Sequence, residues 1–324
     1  MGQDTYVKHA DLFAFAEDKV NLRSEDAKEF RAQVSSAREK LAKYINEHPD
    51  FNLVKMLHSG SVAKGTALSD INDMDVAVYL KKSAAPANDS DLLNWLADRL
   101  REAYGDWKKH EDFVVNQHCV TVSFKGTGLD VDVVPVLYEG DSQDKGYLIT
   151  KDTGQRVLTS IPMHLEFTRK RKTAFDPNYR QTIRFIKWWK KRVMPPEFRF
   201  KSFMIELIAA HLVAQGLLPK GNYIEALLSF FSYIAKTELK ERIVFGDYYA
   251  VSQAKNSGHP IQVFDPVNPA NNVASAYTEN NRENMVAAAR DAVDAINYGR
   301  RATTKAESEA AWREVLGPSF RVIA

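Results

Sequence analysis

A single cysteine, Cys119, among 324 residues excludes an internal disulfide and fits a reducing compartment. Neither charge sign is in strong excess: 44 Lys and Arg stand against 42 Asp and Glu, a formal net charge of +2. That balance excludes a globally basic nucleic-acid coat and leaves only local basic runs to consider. The opening "MGQDTYVKHADLFAFAEDKV" breaks its apolar residues with acids, so it offers neither a secretory leader nor a membrane span. A cytoplasmic protein with no membrane partner is expected. The eight histidines show no zinc-ligand spacing, and Cys119 has no paired ligand nearby, so it reads as a small buried residue in a strand-like run.

What is present is an ordinary globular mixture, 44% hydrophobic and 27% charged, in a chain long enough for two lobes. A short helix is expected around residues 10 to 18. From Ser24, a plausible N-cap, Ala27, Phe30, Val34, Ala37, Leu41, Tyr44 and Ile45 recur on one helical face, predicting a long amphipathic helix that ends near His48. "DSDLLNWLADRLREAY" predicts another, with Leu92, Leu93, Leu96 and Leu100 inward, and "HCVTVSF" and "LDVDVVPVLY" read as strands. Beyond about residue 178 the pattern turns to long helical periods. The expected organisation is α+β: an N-terminal lobe over residues 1–165 that includes the first helices, and a helical lobe over 166–324.

The chemistry concentrates in "HSGSVAKGTALSDINDMDVAVYL", residues 58 to 80. Alternate side chains of a strand share a face, so Asp73 and Asp75 point one way while Met74, Val76 and Val78 point the other. Aspartate is a poor strand residue, and like charges this close repel unless a cation sits between them. The bland alternative is a surface strand with solvated acids. "GLDVDVVPVLY" repeats the arrangement with Asp130 and Asp132. If the two strands are neighbours, three carboxylates converge, a set suited to two Mg²⁺ ions and a nucleoside triphosphate. Ahead of the acids, Gly60 and Gly65 permit tight turns, and Ser61 can offer its hydroxyl and backbone N–H to phosphate.

A Gly-Ser turn, then a strand with two alternating acids, then a third acid on a later strand resembles the signature of the DNA polymerase β-like nucleotidyltransferases. "KGTAL", "LDVDVVPVLY", "RFIKWWKKR", "FKSFMIELI" and "FDPVNPANNVA" further resemble, in order, the oligoadenylate synthetase-like cGAS/DncV-like nucleotidyltransferases of bacterial CBASS anti-phage systems, above all members associated with HORMA and AAA+ proteins. The resemblance implies a bilobed polymerase β-like core with a long N-terminal spine helix, a helical C-terminal lobe and an active site in the cleft between lobes. It implies synthesis of an adenine-rich cyclic oligonucleotide second messenger such as cyclic triadenylate, from ATP or other nucleoside triphosphates, with two Mg²⁺ ions or Mn²⁺ in their place.

Carried over residue by residue, the resemblance makes Asp73, Asp75 and Asp132 the metal-binding triad, with Asp132 preferred to Asp130 because it directly precedes "VVP". Gly60 and Ser61 become the phosphate-holding turn. Lys187 and Ser202 match positions that grip the donor triphosphate, and Phe203 one that stacks on a base; the competing readings are a solvated helix lysine and a core aromatic. Asn271 and Asn272 are expected to organise a loop. A HORMA-domain activator and double-stranded DNA are the candidate macromolecular partners, the DNA on account of "RKRK" (Arg169 to Lys172) and "KKR" (Lys190 to Arg192), although basic residues at a helix end also complement its dipole. No zinc loop of the animal cGAS type is present. Two other functions fit the acids: a nucleotidyltransferase of another branch, acting on RNA ends or a small-molecule acceptor, and an inactive nucleotide-binding scaffold.

Overall fold

The computed structural model describes residues 5–48, 53–71, 73–126, 128–175 and 178–323. It is α+β and forms two compact units: Leu22–Glu166, and residues up to Asn21 together with Phe167–Ala324.

The first unit is built on a mixed seven-stranded sheet. Its strands are β1 (Leu53–His58), β2 (Asp73–Lys81), β3 (Phe113–Val115), β4 (Val120–Phe124), β5 (Leu129–Tyr138), β6 (Gly146–Ile149) and β7 (Arg156–Thr159). The order is β1-β2-β5-β4-β3, with β6 paired to β5 and β7 to β6. Among the described residues of this sheet only β2 and β5 run parallel; the other pairs are antiparallel. The alternation in β2 sends Met74, Val76, Val78 and Leu80 into the main core, and β5 sends Leu129, Val131, Val133 and Leu137 into the same core. Helix α2 (Ser24–Glu47) contributes Leu41 and Tyr44, and α4 (Leu92–Tyr104) contributes Leu92, Leu93, Leu96 and Leu100. Each such leucine gains about 1.5 to 3 kcal/mol on burial, which is why the helical period of α4 is readable. Ala27, Phe30, Val34, Ala37 and Ile45, expected on the same face of α2, have side chains outside the described residues.

The opposite face of the sheet carries the acids and, further along β2, Ala77 and Tyr79, which are fully buried beside Val136. The Tyr79 hydroxyl donates to the Asp144 carbonyl oxygen at 3.2 Å and accepts from the Ile161 backbone N–H at 3.1 Å. Burial pushes this phenol up to about 12, so it stays protonated and ties two loops to the acid-bearing face. Helix α3 (Gly60–Lys64) joins β1 to the segment before β2, and α5 (Ile161–Phe175) contains the boundary between the units.

The second unit holds the rest of α5 together with α1 (His9–Phe15), α6 (Asn178–Arg192), α7 (Ser202–Ala214), α8 (Tyr223–Thr237), α9 (Glu279–Arg301) and α10 (Lys305–Leu316). Helix α1, expected in the first lobe, is grouped with these helices. Phe15 packs edge-on against Trp188 and Phe320, with ring centroids 5.8 and 5.3 Å apart, and Asp11 accepts from the Ile323 N–H at 2.9 Å. Its apolar partners lie in distant parts of the chain, so burial rather than sequence proximity decides its unit. Helices α9 and α10 approach closely at Gly299, where a Cβ would meet Trp312 at 2.9 Å.

Candidate active site

Strand pairing brings the acids together. In the parallel ladder Asp73 lies opposite Asp130 and Asp75 opposite Asp132. Because both strands alternate, all four carboxylates stand on one face at the end of the sheet where β2 begins. Asp73 is exposed, and Asp75, Asp130 and Asp132 are half-buried, so water and solutes reach them. The fully solvated alternative for the pair does not hold for Asp75.

Gly60 is placed against this cluster. Its φ of +68° is one that L side chains rarely adopt, and a Cβ there would overlap the Asp75 carboxylate. The chain is held in that position by the Ser59 N–H, which donates to the Asp75 carbonyl oxygen at 2.9 Å. Ser61 follows in the first turn of α3, half-buried, and the Thr66 N–H donates to its carbonyl oxygen at 2.8 Å. Gly65, at φ 71°, ends the helix in the left-handed conformation.

On the other side of Asp132, β4 pairs with β5 so that Thr121 lies opposite it. The Thr121 hydroxyl donates to Asp132 Oδ1, and Asn116 Nδ2 donates to Thr121 Oγ1 at 2.7 Å. Sequence reasoning missed both residues; the only available signal was that Thr121 alternates with buried Val120 and Val122. Cys119 sits beside this chain. Burial first, and then the Asp132 charge, push its thiol up to about 12, so it is a protonated neighbour and not a nucleophile.

The donor set is carboxylate oxygen, the chemistry that Mg²⁺ prefers. Among the described residues no three His, Cys, Asp or Glu side chains are already gathered about one point; the acids share a face and remain open. Lacking a Cβ, Gly60 lets the Asp75 carboxylate lie directly against the α3 backbone, and carboxylates gathered on one face are the oxygen donors a hard divalent cation takes.

In the helical unit, Lys187 is not a solvated lysine. It is only 6% exposed, and its Nζ donates to Glu206 Oε1 at 2.6 Å, from α6 to α7. Its charge also helps hold the Lys190 ammonium below the usual lysine range, after the larger effect of burial. Ser202 is exposed at the start of α7 and Phe203 is half-exposed, outside the core stripe of Ile205, Leu207 and Ile208. Asn272 organises a loop as expected: its Oδ1 accepts from the Val263 and Ala274 N–H groups, each at 3.0 Å, and its Nδ2 donates to the Ile261 carbonyl oxygen at 2.9 Å. Asn271 Nδ2 donates to Asp265 at 3.2 Å.

The basic runs divide. Lys190, Lys191 and Arg192 occupy the last turn of α6, where positive charge complements the helix dipole. "RKRK" lies within α5. Arg171 turns inward, forms two bonds to Asp247 at 2.6 and 2.7 Å, and stacks 3.5 Å from the Phe167 ring centroid. With one of its four cations buried, the run does not support the double-stranded DNA expectation. No described helix is long and apolar enough to cross a membrane.

Comparison with known proteins agrees with this geometry. Residues 8–168 match the family model of the Second Messenger Oligonucleotide or Dinucleotide Synthetase domain. The chain is 47% identical over 318 residues to a cyclic AMP-AMP-AMP synthase of Escherichia coli strain MS 115-1, covering 98% of each. It is 30% identical to the CBASS oligonucleotide cyclase CdnC of strain KTE188, covering 94% of each. Among solved structures, E. coli MS115-1 CdnC with ATP matches with a TM-score of 0.90 at 47% identity, and the same cyclase in complex with HORMA-deltaN matches with 0.88 at 46%; both cover 98% of this chain and 99% of the other. The protein belongs to the second messenger oligonucleotide or dinucleotide synthetase family and is a nucleotidyltransferase of the CBASS oligonucleotide cyclases.

Proposed function

We propose that this enzyme joins ATP into cyclic triadenylate, with Asp73, Asp75 and Asp132 as the acids that hold the metal. Support for the product comes from the relative named cyclic AMP-AMP-AMP synthase and from the solved structure of CdnC with ATP. The observation that carries the assignment of acids is the register of β2 on β5, which sets Asp75 beside Asp132. Membership among oligonucleotide cyclases sets aside an RNA-end or small-molecule transferase, and an inactive scaffold would have no use for acids that repel one another.

The family's chemistry is metal-dependent. Two Mg²⁺ ions, or Mn²⁺, held by the three carboxylates would lower the pKa of the attacking ribose hydroxyl and neutralise the departing pyrophosphate. The protein's own part is positional. Gly60 lets backbone approach the acids, and the Ser61 hydroxyl and N–H bind triphosphate oxygens. Lys187 and Ser202 bind the donor triphosphate, Lys187 exchanging some of its bond to Glu206 for phosphate, and Phe203 stacks on adenine, a contact worth about 1 to 3 kcal/mol in nucleic-acid binders. A HORMA-domain protein is the activating partner, on the precedent of the CdnC complex.

The test is to incubate the purified protein with each labelled nucleoside triphosphate and Mg²⁺, with and without a HORMA-domain partner, and to identify phosphatase-resistant products by mass. Cyclic triadenylate from ATP alone is expected. A linear product, or a ring lacking adenine, would overturn the reading.

A further inference from the structure

We infer that Thr121 is a positioning residue for the metal-binding acids, directed in turn by Asn116; the inference rests on the assignment of Asp132 made above. Strand β5 lies between β2 and β4, so Asp75, Asp132 and Thr121 form one continuous rung across three strands. Asp132 therefore has a carboxylate on one flank and a hydroxyl on the other. The Thr121 O–H donates to Asp132 Oδ1, which fixes the rotation of that carboxylate.

A hydroxyl has one hydrogen to give, and its direction is set by what it accepts. Asn116 Nδ2 donates to Thr121 Oγ1 at 2.7 Å, which turns the single hydrogen of Thr121 toward Asp132. The order of donation is amide to hydroxyl to carboxylate, and each bond polarises the next. Asn116 is held for this by its backbone N–H, which donates to the Cys119 carbonyl oxygen at 2.9 Å across the β3–β4 connection. Neighbours that orient metal ligands in this way typically change metal affinity or activity by about 10- to 100-fold when removed.

The test measures metal binding directly. Equilibrium binding of Mn²⁺ to the full-length protein, followed by its free-ion spin resonance signal in the presence of a non-hydrolysable ATP analogue, is compared for Thr121→Val, Thr121→Ser, Asn116→Ala and Asp132→Asn. Thr121→Val keeps a β-branched residue in the strand and exchanges the hydroxyl for a methyl of similar size. It should weaken Mn²⁺ binding by about 10-fold or more, while Thr121→Ser should stay within about threefold of the parent and Asn116→Ala should fall between. Parental binding by Thr121→Val, or equal weakening by Thr121→Ser, would overturn the inference. If Thr121→Val does not fold, Asn116→Ala at its exposed position decides: parental binding there also overturns it. Parental binding and turnover by Asp132→Asn would instead refute the underlying site assignment.

Discussion

Replacing Gly60 by alanine separates two effects of one methyl group. The first is backbone strain: at φ +68°, an L residue costs roughly 1 to 2 kcal/mol. In a unit of this size that lowers the melting temperature by about 2 to 8 °C. The second is collision, because the added Cβ overlaps the Asp75 carboxylate. Either the carboxylate rotates or α3 retreats, and a displacement of about 1 Å in a reacting group costs about 100-fold in rate. Gly128→Ala isolates the first effect: its φ is +69° and no atom lies within 4 Å of its Cβ position. We predict a melting shift for Gly60→Ala at least as large as that for Gly128→Ala, and a fall of about 100-fold or more in pyrophosphate release from ATP for Gly60→Ala alone. Parental turnover by Gly60→Ala, or an equal loss by Gly128→Ala, would refute the reasoning.

Further predictions follow from the buried and titrating groups. Lys187→Met should cost about 3 to 5 kcal/mol by taking from the buried Glu206 carboxylate the cation bonded to it; adding Glu206→Met should restore much of that stability by chemical denaturation without restoring turnover. Burial holds the His211 imidazole below its usual range, so the unfolded chain takes up a proton first and stability is lost as pH falls below about 6.5. Denaturation midpoints at pH 7.5 and 5.5 should therefore converge in His211→Gln, and an unchanged pH dependence would contradict this. With its thiol pushed up to about 12, Cys119 should react with a disulfide reagent at pH 8 about 30- to 60-fold more slowly in the folded protein than in denaturant, the loss of thiolate being offset in part by the greater nucleophilicity of a more basic sulfur.

The fold was readable where one period governed a whole element. In α4 four leucines at helical spacing all reached the core, and in β2 and β5 the alternation predicted which side of the sheet each acid occupies. Strand β1 has no readable alternation because Lys55 interrupts "LVKMLH" and most of its residues are only half-buried. The short β3, β6 and β7 have too few residues to show a period. A run of four cations concealed Arg171, whose inward partners Asp247 and Phe245 lie more than seventy residues away. Lys187 drew attention as a cation, but Glu206 stands 19 residues on in another helix, and nothing local announces the pair. The acids of the site were legible because charge in a strand demands an explanation. Thr121 was not, since a threonine in a strand demands none.

The most direct test of the acid assignment is Mg²⁺-dependent pyrophosphate release from ATP by the double variant Asp73→Asn with Asp75→Asn. The account predicts release at the level of buffer alone, with melting unchanged or raised by the relieved repulsion. Release at the parental rate from a folded double variant would contradict it.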